Sequence, residues 1–319
     1  MPSWPTTSVQ FLAHLAIFNS GGLLSAHPSS SACPICKGDL VRKASAYTRF
    51  CDRCNYWGST LSFRLDKKES DLTTEEFDYH NYVVNLHNIR SKNFGMVLNQ
   101  LDRITGNGTL SILDVGCASG AFMNLAKERG HHVTGIEPNE AMFLAASERG
   151  LKVIHDYFPT QTALTEKFDV IIFNDVFEHI PDINLTLEHC RSHLKPEGML
   201  ILNLPNSAGL VFRIAKVFAK FRVLGPWDRL WQVMFHTPHL HYFNFGSLNK
   251  LLKQHRFESI TDKHEIPTVE LDGLWSRLRL HSGISHFIKN CAAYLCVLLV
   301  YPLLLVSEKD TFFVIYRAR

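Results

Sequence analysis

The chain has 319 residues and eight cysteines, and its 33 Lys and Arg barely outnumber its 30 Asp and Glu, for a net charge of +3. One large α/β domain with a small appendage fits that length. The weak basic balance neither demands nor excludes an RNA partner. No secretory signal is read near the amino terminus, because the apolar run 11–18 has no Lys or Arg before it and Gly21-Gly22 follows at once. Residues 1–31 are rich in Ser, Pro and small side chains and read as a poorly ordered lead-in.

Four of the cysteines form two tight pairs, Cys33-Pro34-Ile35-Cys36 and Cys51-Asp52-Arg53-Cys54. Each pair can place two thiolates on one tetrahedral Zn²⁺ from a tight turn, and Lys37-Gly38 and Asn55-Tyr56 suit the turning backbone. Residues 40–41 and 47–50 are expected to be the short strands of a zinc ribbon spanning 32–62. Four thiolates leave no open coordination position, so the expected metal is structural. Basic residues near the pairs are few (Lys37, Arg42, Lys43, Arg49, Arg53), which disfavours nucleic acid and favours a domain that stabilises or closes over its neighbour. The bridge at 63–108 contains an aromatic-rich run at 77–82. A helical period then follows in Val83, Leu86, Ile89, Phe94, Val97 and Leu101, and Gly106-Asn107-Gly108 ends it.

From residue 109 onward strands and helices alternate. Strands are expected at 112–115, 132–137, 153–154, 168–173 and 199–204. Helices are expected at 122–129, 141–149 and 183–194, with a turn at 195–198. This order predicts a doubly wound parallel sheet, completed by strands at 257–262 and 311–316. Its ligands sit beyond the carboxyl ends of the strands. The first strand runs into Asp114-Val115-Gly116-Cys117-Ala118-Ser119-Gly120. There Gly116 and Gly120 allow close backbone approach, and the next helix offers free N–H groups. Glu137 closes the second strand about 20 residues on, where a carboxylate matches a ribose diol. A dinucleotide dehydrogenase would need G-x-G-x-x-G, which this spacing does not supply.

The Asp-x-Gly order at Asp114-Val115-Gly116 resembles the cofactor loop of class I S-adenosylmethionine-dependent methyltransferases, with Ala118 where that family usually has a further glycine. Asn174-Asp175-Val176-Phe177-Glu178-His179-Ile180-Pro181-Asp182 and Leu194-Lys195-Pro196-Glu197-Gly198-Met199 are similar to segments of the quinone O-methylating and polysaccharide-modifying members. The resemblance covers residues 111–206. It implies the seven-stranded class I sheet over 109–319, with acceptor-determining insertions at 207–245 and 265–310. It also implies cofactor contacts from Asp114, Gly116, Cys117, Gly120, Glu137, Asn174 and Asp175, and from Tyr79 and Tyr82 of the bridge. Asp156 is a further candidate, for the adenine amino group. His179 is the nearest titratable group able to take a proton from an acceptor hydroxyl, and its alternative role is to hold the loop.

The last third is the least legible. Val211, Phe212, Ile214, Val217, Phe218 and Phe221 alternate with Arg213, Lys216, Lys220 and Arg222. A lid helix with a solvated basic face is expected there ahead of a helix lying in a membrane interface. The run His236-Thr237-Pro238-His239-Leu240-His241-Tyr242-Phe243 invites a metal, but no carboxylate partner can be placed, and the resemblance instead implies His241 at the pocket mouth. The apolar run 291–306, interrupted by Pro302, falls short of the roughly 20 residues that span a bilayer. A buried helix or one docked on a membrane surface is expected. The expected activity is S-adenosylmethionine-dependent O-methylation of a small, glycan or lipid-linked acceptor, by a cytoplasmic enzyme able to contact the inner membrane face. RNA methylation guided by the ribbon and a non-catalytic cofactor-binding scaffold are the alternatives.

Overall fold

The computed structural model describes residues 32–62, 79–106, 108–159, 164–233, 237–266 and 284–319. The lead-in at 1–31, the acidic part of the bridge and the side chains of Tyr79 and Tyr82 lie outside the described residues. The small sheet begins with β1 (Val41–Arg42), β2 (Thr48–Cys51) and β3 (Tyr56–Ser59), paired antiparallel in that order. Helix α1 (Tyr79–Thr105) leads into the large sheet and buries Phe94, Val97, Leu98 and Leu101, the face read from its helical period.

Strands β4 (Ser111–Val115), β5 (His132–Ile136), β6 (Lys152–Ile154), β7 (Phe168–Asn174) and β8 (Leu194–Pro205) pair in parallel, in the order β8-β7-β4-β5-β6. The crossover helices are α2 (Ala121–Glu128), α3 (Glu140–Glu148) and α4 (Ile183–His193). Residues 170–173 and 199–202 are buried without alternation, because helices cover both faces. The turn expected at 195–198 is instead the first part of β8. Its register shifts opposite Phe168 and Val170, and Glu197 adopts a left-handed φ of 61° there.

After β8 the chain leaves the large sheet through α5 (Leu210–Lys220) and α6 (Gly225–Leu230). Strand β9 (His241–Tyr242) then pairs with β3 and becomes the fourth strand of the small sheet. The cysteine-bearing sheet is therefore not confined to 32–62. Helix α7 (Phe245–Gln254) returns the chain to the large sheet, where β10 (Phe257–Ser259) and β11 (His264–Ile266) flank β12 (Thr311–Ala318), all antiparallel. The single strand expected at 257–262 is thus two short ones. Thr261 Oγ1 accepts from Ile315 N (3.2 Å), taking over a ladder bond where the edge bends. Helix α8 (Ile284–Val306) holds the long apolar run. Leu299 and Val306 are more than four-fifths exposed, so the carboxyl-terminal half of α8 is not a buried core helix.

An aromatic cluster joins the small sheet to α5 and α6. Phe50 and Trp57 pack on Phe212, Trp227, Trp231 and Tyr242, and Tyr47 donates to Asp228 Oδ1 at 2.6 Å. Trp227 is fully buried, with Trp57 and Phe212 rings at 5.3 and 5.0 Å. Trp227→Ala is expected to lower unfolding free energy by about 3–5 kcal/mol, the usual cost of such a truncation. A denaturant titration followed by circular dichroism would show the midpoint fall.

Candidate functional site

The chain turns at the end of β4 where there is no room for side chains. Gly116 has φ 70°, and a Cβ there would sit 2.6 Å from Val176 Cγ2; Gly120 has φ 83°, and its Cβ would reach 2.1 Å from Leu151 Cδ1. Ala118 takes the left-handed region as well, with φ 47°. For a residue with a Cβ this costs about 1–2 kcal/mol, which explains why glycine is usual at that point in related loops. Gly116 N and Cys117 N both donate to Ile136 O, at 2.8 and 3.1 Å, drawing the turn onto the end of β5. Gly135 on β5 is equally constrained, since a Cβ there would lie 2.5 Å from Cys117 Sγ. Sequence reasoning did not single out Gly135, because a glycine inside an apolar strand carries no motif.

Glu137 is buried, and each of its oxygens accepts one backbone N–H: Oε2 from Ala118 N and Oε1 from Asn139 N, both at 2.8 Å. Each oxygen keeps a further lone pair, the arrangement a vicinal diol needs. Burial raises the Glu137 pKa, and the two N–H groups oppose the shift. Asp114 is pushed up to about 8 by burial and then by the charge of Glu137, while the Asn174 amide acts the other way. Its Oδ2 is buried without a hydrogen-bond donor. Cys117 is buried in the same turn, and Asp175, with φ 54°, donates its N–H to Asn203 O at 2.9 Å. Asp156 Oδ1 accepts from Tyr157 N (2.7 Å) just past β6. An orphaned carboxylate oxygen and a backbone cradle that excludes Cβ atoms fit a cationic, ribose-bearing ligand such as S-adenosylmethionine.

Beyond β7 the chain makes a 3-10 turn, Phe177–His179, and residues 238–241 lie against it. His179 Nδ1 lies 3.0 Å from Pro238 O. A carbonyl only accepts, so that nitrogen carries the proton and Nε2 carries the lone pair. Burial lowers the His179 pKa, which keeps the ring neutral. His239 is set similarly. Tyr242 OH donates to Leu230 O (3.0 Å) and accepts from His239 Nδ1 (3.0 Å), leaving Nε2 of His239 as an acceptor. Donor atoms of Glu178, His179 and His239 lie within 4.8 Å of one another. Glu178 Oε2 is buried without a partner, and burial raises its pKa well above the usual carboxylate range. Glu178 is thus the carboxylate that sequence alone could not place beside the histidine run. His241 sits one strand position away and bonds Tyr56 rather than this cluster.

In the small sheet the four sulfurs of Cys33, Cys36, Cys51 and Cys54 also lie within 4.8 Å of one another, with Cys36 and Cys51 Sγ 3.6 Å apart. Four thiolates at about 2.3 Å from a tetrahedral Zn²⁺ would stand about 3.8 Å apart, so the donor set fits that ion. Lys37 and Asn55, each the residue after a pair, take left-handed φ values of 59° and 53°. Burial pushes the Cys33 thiol up to about 11, while the Gly38 N–H and the neighbouring thiols pull Cys36 down to about 7 against its burial.

A family profile described as a methyltransferase domain matches residues 62–261, more than half of the 319 residues. The chain belongs to this methyltransferase family. It is an S-adenosylmethionine-dependent methyltransferase with the corresponding Rossmann-like α/β fold. The methyltransferase is 27% identical over 177 residues to a ubiquinone biosynthesis O-methyltransferase of Bradyrhizobium diazoefficiens, covering 51% of this chain and 70% of that one. The match to the protein of the same description in Histophilus somni is 38% identical over 106 residues, covering 30% and 44%. The methyltransferase spans about half the length of several further relatives of that description. Among solved structures, a possible histamine N-methyltransferase from Thermotoga maritima gives 16% identity and a TM-score of 0.48, covering 76% of this chain and 94% of that one. Magnesium protoporphyrin IX methyltransferase from Synechocystis with bound S-adenosylmethionine gives 12% and 0.44, covering 72% and 80%.

Glu137→Gln keeps the side-chain volume and removes the charge that accepts both N–H groups. Isothermal calorimetry with S-adenosylhomocysteine is expected to show binding at least about tenfold weaker, the scale of one charge-assisted hydrogen bond.

Proposed function

We propose that the methyltransferase O-methylates a small amphiphilic acceptor, a hydroxyl on a ring carrying an apolar tail. His179 acts as the base in this reading, and Asp114, Gly116, Cys117, Gly120, Glu137, Asn174 and Asp175 hold the cofactor. The observation that carries the reading is the neutral, proton-accepting Nε2 of His179, set by Pro238 O at 3.0 Å, in the turn that follows β7. Bound S-adenosylmethionine supplies an electrophilic sulfonium methyl. The acceptor O–H gives its proton to His179 Nε2 as the O–CH₃ bond forms and the S–CH₃ bond breaks, leaving S-adenosylhomocysteine. The chain's own work is alignment and exclusion of water. The relatives described as ubiquinone biosynthesis O-methyltransferases support a ring hydroxyl with an apolar tail. A structural Zn²⁺ on Cys33, Cys36, Cys51 and Cys54 completes the reading.

His179→Ala is expected to lower the rate constant by about 100-fold or more, the range of general-base catalysis, with cofactor affinity unchanged. A loss below about threefold would sink the base assignment. The base works only when neutral, and burial holds its pKa below the usual 6.5. The rate should therefore persist at pH 6.5 and fall only as pH drops through the depressed pKa; an acid limb above 6.5 contradicts the assignment. A second reading rests on the clustering of Glu178, His179 and His239, whose donor atoms lie within 4.8 Å of one another, a set suited to a divalent cation. Dialysis against EDTA, with activity restored by Mg²⁺ or Mn²⁺ and not by Zn²⁺, would favour that reading over the base.

Peripheral membrane contact belongs to the same proposal. Around the carboxyl-terminal end of α5, Val217, Phe218, Phe221 and Val223 are exposed, and Phe221 is 72% open to solvent. Arg213, Lys216, Lys220 and Arg222 surround them, also exposed. Among the described residues no helix is long and apolar enough to cross a membrane. A cation-ringed apolar tip instead suits an anionic lipid surface, where an apolar-tailed acceptor resides. Co-sedimentation is expected with vesicles of phosphatidylcholine containing phosphatidylglycerol, weakened by salt and by Phe221→Asp. Equal recovery in the supernatant with and without the anionic lipid refutes membrane contact. Transfer of labelled methyl to RNA or glycan in preference to a prenylated catechol refutes the acceptor class.

A further inference from the structure

Residues 238–241 connect the cysteine-bearing sheet to the turn that carries His179. On one side, β9 pairs with β3 through Trp57↔Tyr242 and Gly58↔His241. The pairing continues beyond the strands, with Ser59 N bonded to Leu240 O and Ser59 Oγ to His239 O, both at 2.9 Å. On the other side three bonds reach the turn. Leu240 N donates to Glu178 O (2.8 Å), His179 Nδ1 to Pro238 O (3.0 Å), and His241 Nε2 to Ile180 O (2.9 Å).

The last bond decides the state of His241. Ile180 O can only accept, so Nε2 bears the hydrogen, and in a neutral ring Nδ1 then offers its lone pair. That lone pair faces Tyr56 OH at 2.5 Å, and the phenol must donate. Tyr56 and His241 are both buried, so this hydrogen bond is shielded from water. Tyr56 lies two residues after Cys54. Its ring also packs on Phe243 at 5.3 Å, and Phe243 on Phe177 of the turn at 6.1 Å.

We propose that Tyr56 is a positioning residue for the methyl-transfer site: through His241 and Ile180 it makes the cysteine centre a brace for the turn that carries Glu178 and His179. This rests on the reading of His179 given above. A hydrogen-bonded path of side chains and one carbonyl runs from the cysteine knuckle to the base, and it transmits position rather than protons. Tyr56→Phe removes one oxygen and keeps the ring that fills the space. It removes the hydrogen bond from the phenol to His241 Nδ1, and with it one of the contacts that fix the imidazole against Ile180 O.

The test uses the full chain with a short-chain prenylated catechol as acceptor. Tyr56→Phe is expected to lower kcat by about tenfold or more, as misplacement of a reacting group does. The affinity for S-adenosylhomocysteine and the zinc content by atomic emission should stay at wild-type values. In ¹⁵N NMR the wild-type His241 should be the neutral Nε2–H tautomer, and the Nδ1 resonance should shift in the variant. In a His179→Ala background the same change should cost nothing further, since the brace acts through that residue. Unchanged kcat, zinc loss accompanying the kcat loss, or full additivity with His179→Ala would each overturn the proposal. Failure of the His179 assignment is read separately, from the rate of the single His179→Ala variant.

Discussion

The close fit of the β4–α2 turn against the end of β5 is the constraint on which the site depends. Ile136 O receives two N–H groups from the turn, and Glu137 receives a third, so the turn is held by the neighbouring strand rather than by its own helix. That grip requires glycine at 116 and 135, where any side chain would strike Val176 or Cys117. It also holds Ala118 in a backbone conformation that alanine resists. The same contact brings the carboxyls of Asp114 and Glu137 close enough to raise the Asp114 pKa. Burial raises the pKa of both carboxyl groups by penalising their charge, and a positively charged ligand there offsets that penalty.

Around that turn the molecule separates two tasks by position in the chain. The parallel strands β4 to β8 carry the glycine turn and Glu137, and under the proposed function the excursion from α5 to β9 would arrange the acceptor end. The excursion is not packed on the large sheet alone. Its aromatic residues Phe212, Trp227, Trp231 and Tyr242 share one cluster with Phe50 and Trp57 of the cysteine-bearing sheet. The small sheet is accordingly packed into the body of the described protein and is not a pendant module.

Much of the large sheet could be read in advance because its signals are local. Apolar runs such as 168–173 and the Asp-x-Gly step both act within a few residues. Glu137 was visible for the same reason, at a set distance from the loop. The pairing of β3 with β9 was not, since nothing within Tyr56–Ser59 names a partner near residue 242. Glu178 was in view inside a recognised segment, yet its relation to His239 depends on residues 238–241 folding back across the turn. Histidine spacing in the run from His236 to Tyr242 pointed toward metal chemistry without its carboxylate. The exposed apolar side of α8 was also hidden, because composition records how apolar a helix is and not which neighbours it lacks.

The β3–β9 pairing also sets an order of events during synthesis. All five parallel strands of the large sheet lie between Trp57 and its partner Tyr242, so that contact is among the longest loops the chain must close. While the ribosome is still making β4 to β8, β3 is an open sheet edge and the cysteine knuckles have no strand on that side. The amino-terminal segment is thus the first part of the described protein to emerge and among the last to be finished. Its edge is closed only when β9 arrives.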